Sequence, residues 1–231
     1  MTAVVLQARL DSTRLPGKTL LPLGCRPLIF RVMEALIHVP ADLHILACPE
    51  DSADAFAPLA EAAGFKLLTG PKDDVLERYC MAVRKYKIDQ LIRATGDNPF
   101  VFVDAAGAVN AAGLALSADY AGYAGLPPGA GVEAVKASAL LQAGDKAASP
   151  YEREHVCPYL YGHADEFLLH RPLAPLRWQS PRIRLTVDTE EDYNRAQTLY
   201  EALEKYGDST ERFRGTVILD TYRKIFPESE R

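Results

Sequence analysis

The sequence predicts an α/β protein with a mostly parallel central sheet flanked by helices. Two observations carry that prediction. Short, mostly apolar runs such as "VVL" and "LIRAT" are of strand length and show no helical period, as strands covered on both faces do. Between them lie segments of helical period, so that strand and helix alternate, and crossover helices imply parallel neighbours. Sheets of this kind place their ligands outside the carboxyl ends of the strands.

The elements follow in order. "TAVVLQA" reads as the first strand. In "PLIFRVMEALIHV", Leu28, Ile29, Val32, Met33, Leu36 and Ile37 fall on one helical face. "LHILACP" is a strand, "SADAFAPLAEAAG" a helix, "FKLLTG" a strand, "DDVLERYCMAVRKYK" a helix and "DQLIRATGD" a strand. From about Asp119 the pattern loosens into "YAGLPPGAGVEAV" and "LLHRPLAPLRWQSPRIRLTV", with "RIRLTV" as a further strand, before the helix "EEDYNRAQTLYEALEKYG". We expect one domain, 1–231, with a regular half over about 1–118 and a looser half over about 119–231.

The 231 residues suffice for one sizeable core. A net charge of −5 offers no general attraction to nucleic acid or to an anionic membrane, so an anion must be held by a local cluster. No apolar run approaches the ~20 residues that span a bilayer. Cys25, Cys48, Cys80 and Cys157 lie far apart without a CxxC pair, and reduced thiols in the cytoplasm are the expectation.

Such a cluster stands at the end of the first strand. Gly17-Lys18-Thr19 has the ending of a P-loop, but Ser12 occupies the place of its first glycine. Pro22, Gly24 and Pro27 also forbid the long helix that a P-loop opens. What remains is a loop carrying Arg9, Arg14 and Lys18 against the single acid Asp11, with hydroxyls on Ser12 and Thr13. Guanidinium forks and a movable ammonium suit a triphosphate. A basic turn that merely faces water has the same composition.

"QARLDSTRLPGKTLLPLGCRPLIFRVMEAL" resembles the N-terminal signature of the cytidylyltransferase family, which includes the spore-coat polysaccharide protein F type and the acylneuraminate and 3-deoxy-manno-octulosonate enzymes. The resemblance continues through "DVLERYCMAVRKY", "LIRATGDNPFV", "GVEAVKASAL", "REHVCPYLY" and "RLTVDTEEDYNRAQTLYEAL". It implies a Rossmann-like nucleotide-diphosphosugar transferase fold. It further implies that Gln7, Ala8, Arg9, Ser12, Arg14, Gly17 and Lys18 wrap the triphosphate of CTP, with Lys18, Arg9 and Arg14 as the catalytic cations. The half over about 1–118 then binds the nucleotide and that over about 119–231 forms the acceptor or dimerisation lobe. The small-molecule acceptor stays open between a 2-keto sugar acid, another sugar and a phosphorylated or phosphonate small molecule, and a homodimer is the expectation.

Asp97 and Asp188 each follow a predicted strand. Attack on an α-phosphate calls for a divalent cation, and Mg²⁺ takes one or two carboxylates with phosphate oxygens and waters. The resemblance carries metal binding onto both, whereas an Asx turn at Asp97 and a helix cap at Asp188 are the structural readings. Arg78 and Arg93 are candidates for nucleotide contact, with a plain ion pair as the alternative. Glu133, Arg153, Glu154 and His155 match acceptor-side motifs, and Pro49 and Glu50 a base-reading turn. His155 and Cys157 lack the second pair that zinc needs. Trp178 and its aromatic neighbours read as core or dimer contact.

These residues describe a nucleotidyltransferase releasing pyrophosphate. A glycosyltransferase of the same fold would need a D-x-D pair after a strand, and none is found. A non-catalytic nucleotide-binding protein would be expected to have lost Lys18 or one of the two aspartates, and all three are present.

Overall fold

The computed structural model describes residues 1–207 and 209–227. Strands β1 (Thr2–Gln7), β4 (Leu43–Pro49), β5 (Lys66–Gly70) and β6 (Gln90–Thr95) form a parallel block, and β2 (Pro22–Leu23) and β3 (Arg26–Pro27) a small hairpin after the first loop. β7 (Tyr120–Ala121), β8 (Glu133–Lys136) and β9 (Leu169–His170) extend the same sheet, in the order β5-β4-β1-β6-β8-β7-β9. β8 runs antiparallel to β6 and β7, and β9 parallel to β7. The sheet therefore continues across the junction near residue 118, so the looser half of the sequence is woven into the same sheet as the regular one.

Helices α1 (Leu28–Leu36), α2 (Ala53–Ala62), α4 (Val103–Ala115), α8 (Glu190–Glu204) and α9 (Gly215–Ile225) cover one face. α3 (Val75–Tyr86), α5 (Ala137–Lys146), α6 (Pro150–His155) and α7 (Pro158–Gly162) lie on the other. β1 shows why its sequence is uninterrupted: Val4 and Leu6 enter one core, Ala3 and Val5 the other, and all four are fully buried. α1 buries the predicted face, but Ile37 is its C-cap and stands 38 % exposed. Trp178 is core, 2 % exposed, its indole donating to Asp104 Oδ2.

One predicted strand is corrected. Residues 183–187 are extended, with Ile183, Leu185 and Val187 buried in alternation, yet they join no ladder. Single backbone bonds hold them instead: Leu185 donates to the Pro128 carbonyl and Val187 to that of Asp97, each at 2.8 Å. The period-two burial that suggested a strand is real; the neighbouring strand is missing. Among the described residues no helix is long and apolar enough to cross a membrane.

Candidate active site

β1 and β6 end side by side, and Gly96 donates to the Gln7 carbonyl at 2.8 Å. A Cβ on Gly96 would stand 2.9 Å from Ala8 Cβ and 3.1 Å from the Gln7 carbonyl oxygen, so the close approach of the two strand ends requires glycine. The loop from Ala8 turns at Gly17, in the left-handed region at φ 67°. Lys18–Leu20 then make a single 3-10 turn in place of a P-loop helix.

A cavity of about 290 Å³ opens at these strand ends. Gln7, Ala8, Arg9, Ser12, Arg14 and Lys18 of the loop line one side, and Arg93, Asp97 and Asp188 the other. Arg78 from α3 and Glu154 and His155 from α6 complete it. Gly17 and Glu133 are not on its wall, which departs from the sequence expectation. Gly17 shapes the backbone, and Glu133 lines an adjoining cavity.

Lys18 points into this cavity and reaches its acids. Its Nζ lies 3.0 Å from Asp97 Oδ2, 2.8 Å from Asp188 Oδ1 and 2.8 Å from the Val187 carbonyl oxygen. The ammonium thus draws together two carboxylates from distant points in the chain. Three oxygens converging on one cation form an all-oxygen donor set that fits a hard divalent ion such as Mg²⁺, with phosphate and water supplying the remaining ligands.

Asp188 is the more heavily held. Arg14 Nη2 reaches its Oδ1 at 2.9 Å and Arg184 Nη2 its Oδ2 at 2.5 Å. Burial alone would raise its pKa, but Lys18, Arg14 and Arg184 outweigh that and hold the carboxyl below its usual range. Asp192, 6 % exposed, accepts from the backbone N–H of both Asp188 and Thr189 at 3.1 Å, while Thr189 caps α8 in a capping box with it. The helix cap read at Asp188 thus falls on its neighbours Thr189 and Asp192.

Arg9 has only long partners, Asp11 and Glu154 at 3.7 Å each. Arg78 is more committed than expected. Its Nη1 donates to the carbonyls of Pro71 and Lys72, so it pins the loop before α3 while lining the cavity. Arg153 likewise ties α6 to Asp74 and to the Ala147 carbonyl. His155 ends α6, followed by Val156 at φ 74° with the Cys157 N–H bonded to the His155 carbonyl at 2.9 Å. That is a strained γ-turn for a β-branched residue.

Sequence reasoning missed several residues. Tyr79 sets its hydroxyl 3.2 Å from Gln7 Oε1, at the start of the loop. Thr95 donates to Asp97 Oδ1 at 2.7 Å and Arg184 clasps Asp188. Thr95 and Arg184 stand two and four residues from the aspartates, a spacing that marked them only once those aspartates were in view.

A cationic loop facing two carboxylates across the carboxyl ends of a parallel sheet defines a nucleotide-handling enzyme of the Rossmann-like class. The comparisons narrow the class. The cytidylyltransferase family model matches residues 3–213. The spore coat polysaccharide biosynthesis protein SpsF of Bacillus subtilis is 32 % identical over 204 residues, 85 % of either chain. A cytidylyltransferase structure from Leptospira borgpetersenii superposes with TM-score 0.85 at 25 % identity, covering 99 % of this chain and 96 % of that one. CMP:2-keto-3-deoxy-manno-octonic acid synthetase in complex with CTP has the same fold, with TM-score 0.68, 17 % identity and coverage of 87 % and 98 %. So does Rv0371c of Mycobacterium tuberculosis in complex with manganese, with TM-score 0.59, 17 % identity and coverage of 85 % and 97 %. The chain belongs to the cytidylyltransferase family and is a CTP-dependent nucleotidyltransferase.

Proposed function

We propose that the protein transfers CMP from CTP to a hydroxyl of a small acceptor, releasing pyrophosphate, in the synthesis of surface polysaccharide or glycoconjugate precursors. The observation that carries this reading is the single cavity shared by Arg9, Arg14, Lys18, Asp97 and Asp188. The relationship to SpsF supports the polysaccharide setting. An acceptor oxygen forms a bond to the α-phosphorus while the bond to the β-phosphate bridge breaks. Negative charge gathers on the departing pyrophosphate, and Arg9, Arg14 and Lys18 supply the cations that stabilise it.

Mg²⁺ held by Asp97 and Asp188 would neutralise further charge on the leaving group, and the manganese-bound neighbour supports a divalent ion. Gln7, Ala8, Ser12, Arg78, Arg93, Glu154 and His155 hold the substrates, and Gly17 lets the loop turn around the phosphates. Glu133 acts at one remove, by fixing Arg93.

Leu173 and Leu176, 70 % and 85 % exposed beyond β9, support a homodimer through this end of the sheet, which sedimentation velocity checks. The reading places the enzyme in the cytoplasm, where CTP is made and an exposed, unpaired Cys25 stays reduced. The function is tested by calorimetry with each of the four nucleoside triphosphates, together with pyrophosphate release against an acceptor panel. CTP should bind most tightly; equal affinity for the four, or a purine preference, would remove the cytidylyl reading.

A further inference from the structure

Three loops meet beside the cationic cavity. They follow β5, β4 and β1, which are parallel neighbours in the sheet, so the loops start side by side. One side chain joins all three. Lys72, in the loop after β5, sets its Nζ 2.8 Å from Asp51 Oδ2 in the turn after β4 and 2.9 Å from Asp11 Oδ2 after β1. Ser52, fully buried, donates to Asp51 Oδ1 at 2.9 Å and accepts from the Leu10 N–H at 3.4 Å, which closes the ring.

Asp11 is the member that calls for an explanation. It is the single acid of a loop carrying Arg9, Arg14 and Lys18, and it lines their cavity. A carboxylate there opposes a polyphosphate twice. It repels the anion, and it competes with it for the guanidinium of Arg9, whose Nε stands 3.7 Å from Asp11 Oδ1. Residues 8–17 lie in no helix or strand, so no ladder or helical turn fixes where this carboxylate points.

Lys72 answers that conflict from outside the cavity. With Asp51 it lines a neighbouring cavity of about 560 Å³, not the one that holds Arg9 and Arg14. Its contact with Asp11 is at hydrogen-bond distance, whereas that of Arg9 is longer, so the carboxylate is drawn off the cation that the phosphates need. Asp51 holds the ammonium from the other side. Two acids on one cation leave Lys72 no net positive charge to offer a phosphate of its own.

We propose that Lys72 is a positioning residue for the nucleotide: it sequesters the Asp11 carboxylate from Arg9 and so keeps the loop cationic toward the triphosphate, without touching the nucleotide itself. The proposal rests on the cytidylyltransferase reading and adds a residue to it. Lys72, Asp11 and Asp51 are each about half exposed. Exposed pairs of this kind contribute little to stability, so the effect falls on nucleotide affinity rather than on the fold.

The test is calorimetry of CTP. Lys72→Met should weaken CTP at least about fivefold at low salt, and most of that difference should vanish in about 1 M salt, where the screening length is ~3 Å. Its Tm should stay within about 2 °C of the wild type, which separates a loss of affinity from a loss of fold. Adding Asp11→Asn to Lys72→Met should restore the affinity to within about twofold of the wild type, because the competing carboxylate is gone. Adding Asp51→Asn instead makes the same change in net charge but leaves Asp11 in place, and should restore nothing. Unchanged affinity in Lys72→Met, a loss that persists when Asp11→Asn is added, or equal rescue by Asp51→Asn overturns the proposal and leaves the cytidylyltransferase reading intact. A wild type that binds no CTP removes that reading and the proposal with it.

Discussion

At the residue scale, Lys18 holds the two carboxylates of the site together. Its ammonium fills the space between Asp97 and Asp188, so removing it leaves two partly buried carboxylates facing each other. If Lys18 stabilises the charge that gathers on pyrophosphate, Lys18→Met should lower kcat by at least about a hundredfold. The same variant should bind Mn²⁺ without nucleotide more tightly than the wild type, because the competing cation is gone. Electron paramagnetic resonance reads that affinity, and equal affinities would show that Lys18 does not occupy the ion's place. Asp188 makes a second prediction. Its carboxyl titrates below the unfolded value, so its contribution to stability is present above about pH 4 and lost as pH falls through the lower folded value. Asp188→Asn should therefore flatten the acid side of the stability curve measured by thermal unfolding, and an unaltered acid side would show that its ion pairs contribute nothing. The cations of this site were legible in the sequence because three basic residues against one acid stand out in a short loop. Their partners were not, since Lys18 meets Val187 and Asp188 only through the fold.

At the element scale, the extended segment 183–187 shows where pattern reading stops. Alternating burial announced a strand, and nothing in the local sequence revealed that its backbone groups are met one at a time by Asp97 and Pro128. Gly129 makes the packing possible: at φ 93° it lies so close that an added Cβ would stand 2.4 Å from the Thr186 nitrogen. Gly129→Ala should destabilise the protein by at least about 2 kcal/mol, through clash and left-handed strain together. For a chain of this length that is a fall in Tm of roughly 4–8 °C. An unchanged Tm would mean that the segment is free to shift. Because the segment carries Asp188, kcat should fall as well. At the start of α8, Asp192→Ala removes the acceptor for two backbone donors and should cost about 1–3 kcal/mol, seen as a lower Tm.

At the scale of the whole molecule, the parallel block β5-β4-β1-β6 was readable because its strands are buried on both faces and separated by helices of clear period. The β7, β8 and β9 extension was not, since β7 and β9 are only two residues long and too short to show a period. Burial of the core also governs thiol chemistry: it pushes Cys48 up to about 11 and Cys80 to about 12, and Cys157 well above the ordinary value. Native protein should accordingly alkylate at Cys25 first, with the other three reacting only on unfolding, which mass spectrometry after brief iodoacetamide treatment would show. The sheet itself is what makes a site of Asp97 and Asp188, which lie far apart in the chain and meet only where β6 ends beside the 183–187 segment. If both serve one ion, they act as a unit. The decisive measurement is a double-mutant cycle of Asp97→Asn and Asp188→Asn on kcat for CTP-dependent pyrophosphate release, carried across a Mg²⁺ titration. Each single variant should lose most activity and its Mg²⁺ dependence, with the double variant scarcely worse than either; effects that multiply independently would contradict a shared ion between these two carboxylates.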